Sequence, residues 1–422
     1  MADGIVVGLD IGTSVIRVAI GELNVETGKI QIAGTAARKS AGLRNGIIVN
    51  IEEAKEAIRL AVEDAVQNSG ILVESVITAI GGSQIVSQNS RGTVPVSSSG
   101  RGNKEINTDD IARVIESATA IPVPADREKL HVIPQNYIVD GIGGISDPIH
   151  RMGTRLEAEV HIVTASKNII QNINTCVSRA NYRLDGVMLK TLAATQAVCH
   201  QDEMDLGSIL IDLGAGTTDI IVLINGSPVS TASVPVGGSL VTNDIAIVTG
   251  IPSSAAEDIK LKSGCCWLQG ITEENDEEVI LPGVGGRAPE IIYKSQLCQI
   301  IQARMEQIFR MSKDAIIKNT NNSIRQLSGN IILTGGGAQM DGVIELAQNV
   351  FKTSSVRLGV PENLGGIEEN YRRPDFATAV GLVVANQGLA KSKPSYKKSK
   401  FKKEKSSNEG ENPIKRFFKT FF

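Results

Sequence analysis

The sequence predicts an α/β protein: two related domains facing each other across a cleft, with a smaller domain inserted into the first. Three observations predict it. A strand–turn–strand motif occurs twice, about 200 residues apart. Runs of Ile, Val and Leu alternate with helix-period apolar stretches, the pattern of a layered α/β domain. A Ser-, Gly- and Asn-rich stretch interrupts that alternation from residue 83 onward.

The clearer copy of the motif runs from Ile209 to Gly226, where two apolar strands flank Asp212, Gly214, Gly216, Thr217 and Thr218. The earlier copy runs from Val6 to Gly21 and carries Asp10, Gly12, Thr13 and Ser14 in the same order. A turn of this composition suits a phosphate. Glycines let backbone N–H groups approach a ligand, and hydroxyls add donors without negative charge. An aspartate beside a phosphate makes sense when a divalent cation, reached through water, lies between them. Asp10 and Asp212 are therefore candidate catalytic and magnesium-binding residues. The alternative is a pair of Gly-rich turns with no ligand. A third cluster, Gly335, Gly336 and Gly337, follows the apolar run Ile331–Leu333 and offers bare backbone to a planar base.

Along the chain, residues 5–50 read as strands and turns. Asn50 caps a helix, with Glu53 three residues on and an apolar face of Ile51, Ala54, Ile58, Ala61, Val62 and Ala65. A strand ending at Ile80 follows. Asn107 or Thr108 caps a helix to Ala120 inside the insert, and Pro122, Pro124, Pro134 and Pro148 break up what comes next. Strand Glu157–Thr164, helix Lys167–Ala180, strand Asp185–Leu189 and helix Ala193–Val198 lead to the central hairpin. Gln196 on that last helix is placed to reach the cleft and position a water, or to be an ordinary surface glutamine. Gly237 and Gly238 open a helix to Thr249 whose first amides suit a phosphate. Glu257 and Lys260 share a helical face, as ribose and phosphate ligands or as a plain ion pair. Residues 272–290 read as an exposed loop or hairpin, and Ser295–Ile317 as an amphipathic helix with Arg304 among its exposed charges.

Charge and cysteine usage narrow the function classes. Residues 391–422 carry eleven Lys or Arg against three Glu, while the rest of the chain holds 32 basic and 43 acidic residues. Five cysteines form no CxxC pair and the four histidines show no ligand spacing, so neither a zinc site nor a thiol nucleophile is expected. No apolar run is long enough to span a bilayer and the first residues lack a signal-peptide pattern, which predicts a cytoplasmic chain. Residues 391–411 read as a flexible basic linker. Beyond it Ile414, Phe417, Phe418, Phe421 and Phe422 form an apolar stripe, with Lys415, Arg416 and Lys419 beside it. That is the pattern of a helix lying in an anionic membrane surface; a helix docked in a partner groove or on its own body is the alternative.

Taken together, Asp10-Ile-Gly-Thr-Ser, Asp212-Leu-Gly-Ala-Gly-Thr-Thr-Asp, Glu257-x-x-Lys260 and Leu333-Thr-Gly-Gly-Gly-Ala resemble the phosphate loops and adenosine-binding segments of the actin, Hsp70 and hexokinase superfamily. Within it, Val132-Ile-Pro-Gln-Asn-Tyr137, Asp147-Pro-Ile through Met152-Gly, the insert and the terminal amphipathic helix resemble the FtsA family of bacterial cell-division proteins. The resemblance covers residues 5–390 and 412–422. It implies an actin-like ATPase fold whose insert, the 1C subdomain, replaces actin's second subdomain. Domain I would comprise residues 1–82, 164–195 and 366–390, the insert 83–163, and domain II 196–365 with a small subdomain at about 240–295.

It further implies ATP with Mg2+ in the cleft, self-association into filaments, and a tether between the FtsZ ring and the membrane. Arg304 would lie where the FtsZ C-terminal tail docks, and the insert would receive later division proteins. Two places depart from the family pattern. Val15 stands where a lysine is common, leaving Arg17 as the nearest cation, and no carboxylate base stands out, Gln196 being a candidate by analogy with the glutamine of actin. Slow hydrolysis is the expectation. A soluble small-molecule kinase or a pilus-assembly ATPase relative is the alternative function.

Overall fold

The computed structural model describes residues 4–388, apart from 25–26, 97–102, 284, 287, 321–329, 363 and 367–369. The expected linker and terminal helix, including the stripe from Ile414 to Phe422, lie outside the described residues.

Both copies of the motif form antiparallel hairpins, because their β-branched runs can bury both faces while the glycine turn reverses the chain. Strands Ile5–Ile11 and Val15–Leu23 pair with Asp10 opposite Arg17. Strands Ser208–Leu213 and Thr218–Ile224 pair with Asp212 opposite Asp219. Each hairpin seeds a five-stranded sheet of the same plan. The first runs, in space, Ile30–Lys39, Val15–Leu23, Ile5–Ile11, Ser75–Ile80, Arg183–Leu189. The second runs Ser227–Val234, Thr218–Ile224, Ser208–Leu213, Ile331–Thr334, Val356–Leu358. In each, three antiparallel strands are followed by two parallel ones. Parallel neighbours need crossover connections, which the helices supply. One of them, Ile51–Ser69, starts where Asn50 accepts from the Glu52 and Glu53 amides and stops at Gly70 in the left-handed region.

The sheets meet through two helices, Lys190–Val198 and Ala377–Ala385. A shared core joins Val6 and Ala19 of the first sheet to Leu210, Ile221 and Ile332 of the second, with Ala193, Val380 and Val383 between them. The helices approach so closely that a Cβ on Gly381 would lie 1.9 Å from Ala193 O. In the second domain, helices Gly238–Thr249 and Ser253–Ser263 and the hairpin Glu278–Leu281 with Glu290–Tyr293 surround the long helix Lys294–Thr320. Its stripe buries Leu297, Ile301, Met305 and Ile308, together with Cys298 and Phe309, while Ile300 and Met311 stay partly exposed.

The insert is a four-stranded sheet, ordered Ile142–Ile145, Arg127–Val139, Arg155–Ser166, Ile85–Pro95, backed by the helix Thr108–Thr119 with an Asn107 capping box. It holds more strand than the sequence suggested. Ile85–Pro95 is a continuous strand through the Ser- and Asn-rich stretch, because one strand face packs on the helix and the other is exposed to polar surroundings. Pro134 does not break Arg127–Val139 either. The register against Arg155–Ser166 slips from Asn136 to Pro134, so the proline sits at a bulge where no ladder N–H is required.

One face of the insert's sheet meets the outer strand of the second sheet through polar side chains. Ser87 Oγ donates to Thr231 O at 3.1 Å, Asn89 Nδ2 to Val229 O at 2.9 Å and Gln135 Nε2 to Pro228 O at 2.8 Å. His161, 1% exposed, sits in this seam with Nδ1 2.7 Å from Asn89 Oδ1 and Nε2 3.3 Å from Thr231 Oγ1. Burial holds its imidazole at about 4, well below the ordinary value. Between those two values the unfolded chain binds a proton that the folded chain refuses, so stability falls as the pH drops from about 6.5 toward 4. Going from pH 7 to pH 5 costs about 2 kcal/mol through this group. Denaturant melts at the two pH values should show that loss in the wild-type chain and a smaller one in His161→Gln.

Candidate functional site: a cleft between two glycine-turn hairpins

The two hairpins face each other across a cleft of about 740 Å³. They also touch: a Cβ on Gly216 would lie 2.8 Å from Asn45 Cα and 2.9 Å from Thr13 Oγ1, and Thr13 Oγ1 accepts from the Gly46 amide at 2.8 Å. The lining includes the candidates Asp10, Gly12, Thr13, Ser14, Arg17, Asp212, Gly214, Gly216, Thr217, Thr218, Gly237, Gly238, Glu257, Lys260, Gly335, Gly336 and Gly337. Residues up to 327 positions apart in the chain are thus brought to one place.

At the floor of the cleft lie three buried carboxylates, Asp10, Asp212 and Asp219, exposed by 6%, 2% and 4%. Asp219 Oδ1 accepts from the Gly82 amide at 2.8 Å and Oδ2 from Thr217 Oγ1 at 3.1 Å. Lys190 Nζ lies 3.1 Å from Asp212 Oδ2. Burial pushes the Asp10 and Asp219 carboxyls above their ordinary range, against the pull of Lys190 and with the help of Asp212. Burial also works against the charge on Lys190, but the attraction of Asp212, Asp10 and Asp219 outweighs it and holds the ammonium above its usual value. Asp212 Oδ1 is buried with no hydrogen-bond partner. An unpaired carboxylate oxygen beside glycine-lined space calls for a cation or a water that the cleft can admit.

Several expectations need correction. Gln196 is not among the lining residues; Lys190, at the other end of the same helix, is the side chain that enters the cleft. The Gly238 and Ser239 amides are not free for a phosphate, since they donate to Gly214 O at 3.0 Å and Ala215 O at 2.8 Å. These bonds dock the helix on the second hairpin. The bare Gly237 permits that, because a Cβ there would lie 2.5 Å from Gly214 O. The Thr218 hydroxyl is likewise committed, donating to Val236 O at 2.9 Å.

Arg17 lines the cleft, yet its guanidinium donates to Asp375 Oδ2 at 2.7 and 3.1 Å and lies over the Phe376 ring. It ties the first hairpin to the last part of the fold instead of standing free for a phosphate. Glu257 and Lys260 form a 2.6 Å ion pair, and Lys260 Nζ also donates to Thr242 Oγ1 at 2.9 Å. Both still face the cleft. Arg304 is half-buried rather than exposed, with its Nε and Nη2 donating to the Asp244 carboxylate at 2.5 and 2.9 Å.

Gly335 has φ of 84° and approaches the floor so closely that a Cβ would lie 2.3 Å from Asp212 Oδ1. Gly336 meets nothing within 4 Å and presents open backbone. The five cysteines are free, and no group of His, Cys, Asp and Glu able to hold a metal by itself occurs among the described residues. A magnesium ion held through water needs no such group. No helix among the described residues is long and apolar enough to cross a membrane.

Paired sheets of one plan, each offering an Asp-Gly-hydroxyl hairpin to a common cleft, define an actin-like ATPase fold. Solved structures agree at the level of fold: the PilM–PilN type IV pilus biogenesis complex superposes with a TM-score of 0.61 at 16% identity, over 90% of this chain and 97% of that one. MreB5 of Spiroplasma citri bound to ADP does so with a TM-score of 0.53 at 13% identity, over 92% and 98%. Sequence decides the family. The profile for the cell division protein FtsA matches residues 209–381, and that for the SHS2 domain inserted in FtsA matches 82–164. The cell division protein FtsA of Borreliella burgdorferi is 42% identical over 91% of this chain and 91% of its own length. The chain belongs to the FtsA family of cell division proteins.

Proposed function

We propose that the chain is an ATP-binding, polymerising adaptor that ties the FtsZ ring to the cytoplasmic face of the cell membrane at the division site. The unpartnered Asp212 Oδ1 at the floor of a glycine-lined cleft carries the nucleotide part of this reading. Phosphates suit the turns at Gly12–Ser14 and Gly214–Thr217, a ribose suits Glu257, and a base suits the open backbone at Gly336. The donor set fits Mg2+: Asp10 and Asp212 would hold it through water, and it would neutralise phosphate charge. With Gln196 away from the lining, ATP acts mainly as an assembly ligand and hydrolysis is slow.

The basic linker and the amphipathic stripe at 412–422 support attachment to anionic lipid, and the insert offers a separate surface for later division proteins. The FtsZ tail docks near the helix Lys294–Thr320, where recognition by Arg304 requires exchange of its Asp244 partner for an acidic residue of the tail. The nucleotide claim is tested by calorimetric titration with Mg-ATP. Asp212→Ala should weaken binding at least about tenfold, the loss expected for removing one charge-assisted contact; unchanged affinity would place the nucleotide elsewhere.

A further inference from the structure

Lys190 sits where helix chemistry disfavours it. It is the first residue of Lys190–Val198, a helix whose N-cap, Leu189, provides no side-chain cap. The N-terminal end of a helix is its positive end, so a cation there is electrostatically unfavourable unless something else holds it. What holds it is the carboxylate cluster: Nζ is 3.1 Å from Asp212 Oδ2, with the side chain 17% exposed.

Three of the other cations that line the cleft have partners away from that floor. Arg17 and Arg373 are engaged with Asp375, and Lys260 with Glu257 and Thr242. Lys190 instead contacts the second hairpin through Asp212 and borders its turn, where a Cβ on Gly214 would lie 3.9 Å from Nζ. A phosphate cradled by that turn is within reach of the ammonium. The charges make the consequence definite. Asp10, Asp212 and Asp219 would together repel a polyanion, and a partly buried ammonium beside them offsets part of that repulsion before any divalent cation arrives.

We infer that Lys190 is a resident counter-ion of the cleft, which gives up Asp212 to a nucleotide phosphate and keeps nucleotide binding partly independent of divalent cation. The inference rests on the nucleotide reading of the cleft and goes beyond it by assigning a residue and a metal dependence.

Fluorescent N-methylanthraniloyl-ATP is titrated into the full chain in excess MgCl2 and, separately, in EDTA. The unsubstituted chain should lose no more than about thirtyfold in affinity on removal of Mg2+, and Lys190→Gln should widen that loss by at least about another tenfold. Lys190→Arg, which keeps the charge, should bring the ratio back toward that of the unsubstituted chain. An equal ratio in Lys190→Gln and the unsubstituted chain would overturn the counter-ion role while leaving nucleotide binding intact. So would complete loss of binding by the unsubstituted chain in EDTA, a result that needs no variant and stands even if Lys190→Gln folds poorly. Absence of binding by the unsubstituted chain in MgCl2 would instead remove the nucleotide reading and this inference with it.

Discussion

Gly335→Ala is expected to destabilise the protein by at least about 3 kcal/mol and to abolish nucleotide binding in whatever fraction still folds. Two effects add. The backbone at Gly335 has φ of 84°, which an L side chain adopts only with strain, and the new Cβ would lie 2.3 Å from Asp212 Oδ1 and 2.7 Å from Leu213 O. The second neighbour is backbone in the middle strand of the second sheet and cannot give way cheaply. Relief therefore comes by moving Asp212, the carboxylate on which the floor of the cleft depends. The adjacent Gly336→Ala provides the control, since a Cβ there meets nothing within 4 Å. Urea melts and Mg-ATP titrations of both variants should separate them, with Gly336→Ala staying within about 1 kcal/mol of the wild-type stability. Equal behaviour of the two would mean that the close approach of the third glycine cluster to Asp212 is not a constraint.

The second large effect concerns the chain's end. If each of the four Phe side chains at 417, 418, 421 and 422 contributes about 1 kcal/mol on entering a membrane surface, and nearby cations about as much on anionic lipid, removal of residues 412–422 should weaken vesicle binding by at least a hundredfold. Assembly of many copies magnifies the difference, because linked weak anchors act together. High salt should weaken binding by the full chain, as the cationic share is screened, yet leave the contribution of the phenylalanines.

Much of this architecture was legible because the sequence states it twice. Asp10 and Asp212 each stand before a glycine-hydroxyl turn between apolar strands, and only a duplicated hairpin explains both. Helix caps were equally readable where the capping side chain acts locally, as at Asn50 and Asn107. What escaped was long-range. Nothing near Arg17 reveals that its partner is Asp375, 358 residues away. Gly237 and Gly238 look like a phosphate-binding helix start, but a carbonyl of the facing turn claims the amide of Gly238. Lys190 and Gln196 lie on one short helix, and periodicity alone cannot say which end points at the cleft. The strand through Pro134 was hidden because a bulge removes the need for its missing N–H. In each case the deciding contact is tertiary, so the local signal was either silent or pointed to a different role.

Flotation on anionic liposomes tests most directly the proposed link between a nucleotide cleft and a lipid-binding segment at 412–422. The full chain and a chain ending at Glu411 are compared with and without Mg-ATP. The full chain should float, Mg-ATP should increase the bound fraction, and the shortened chain should stay at the bottom in both conditions. Equal flotation of the two chains would contradict that link.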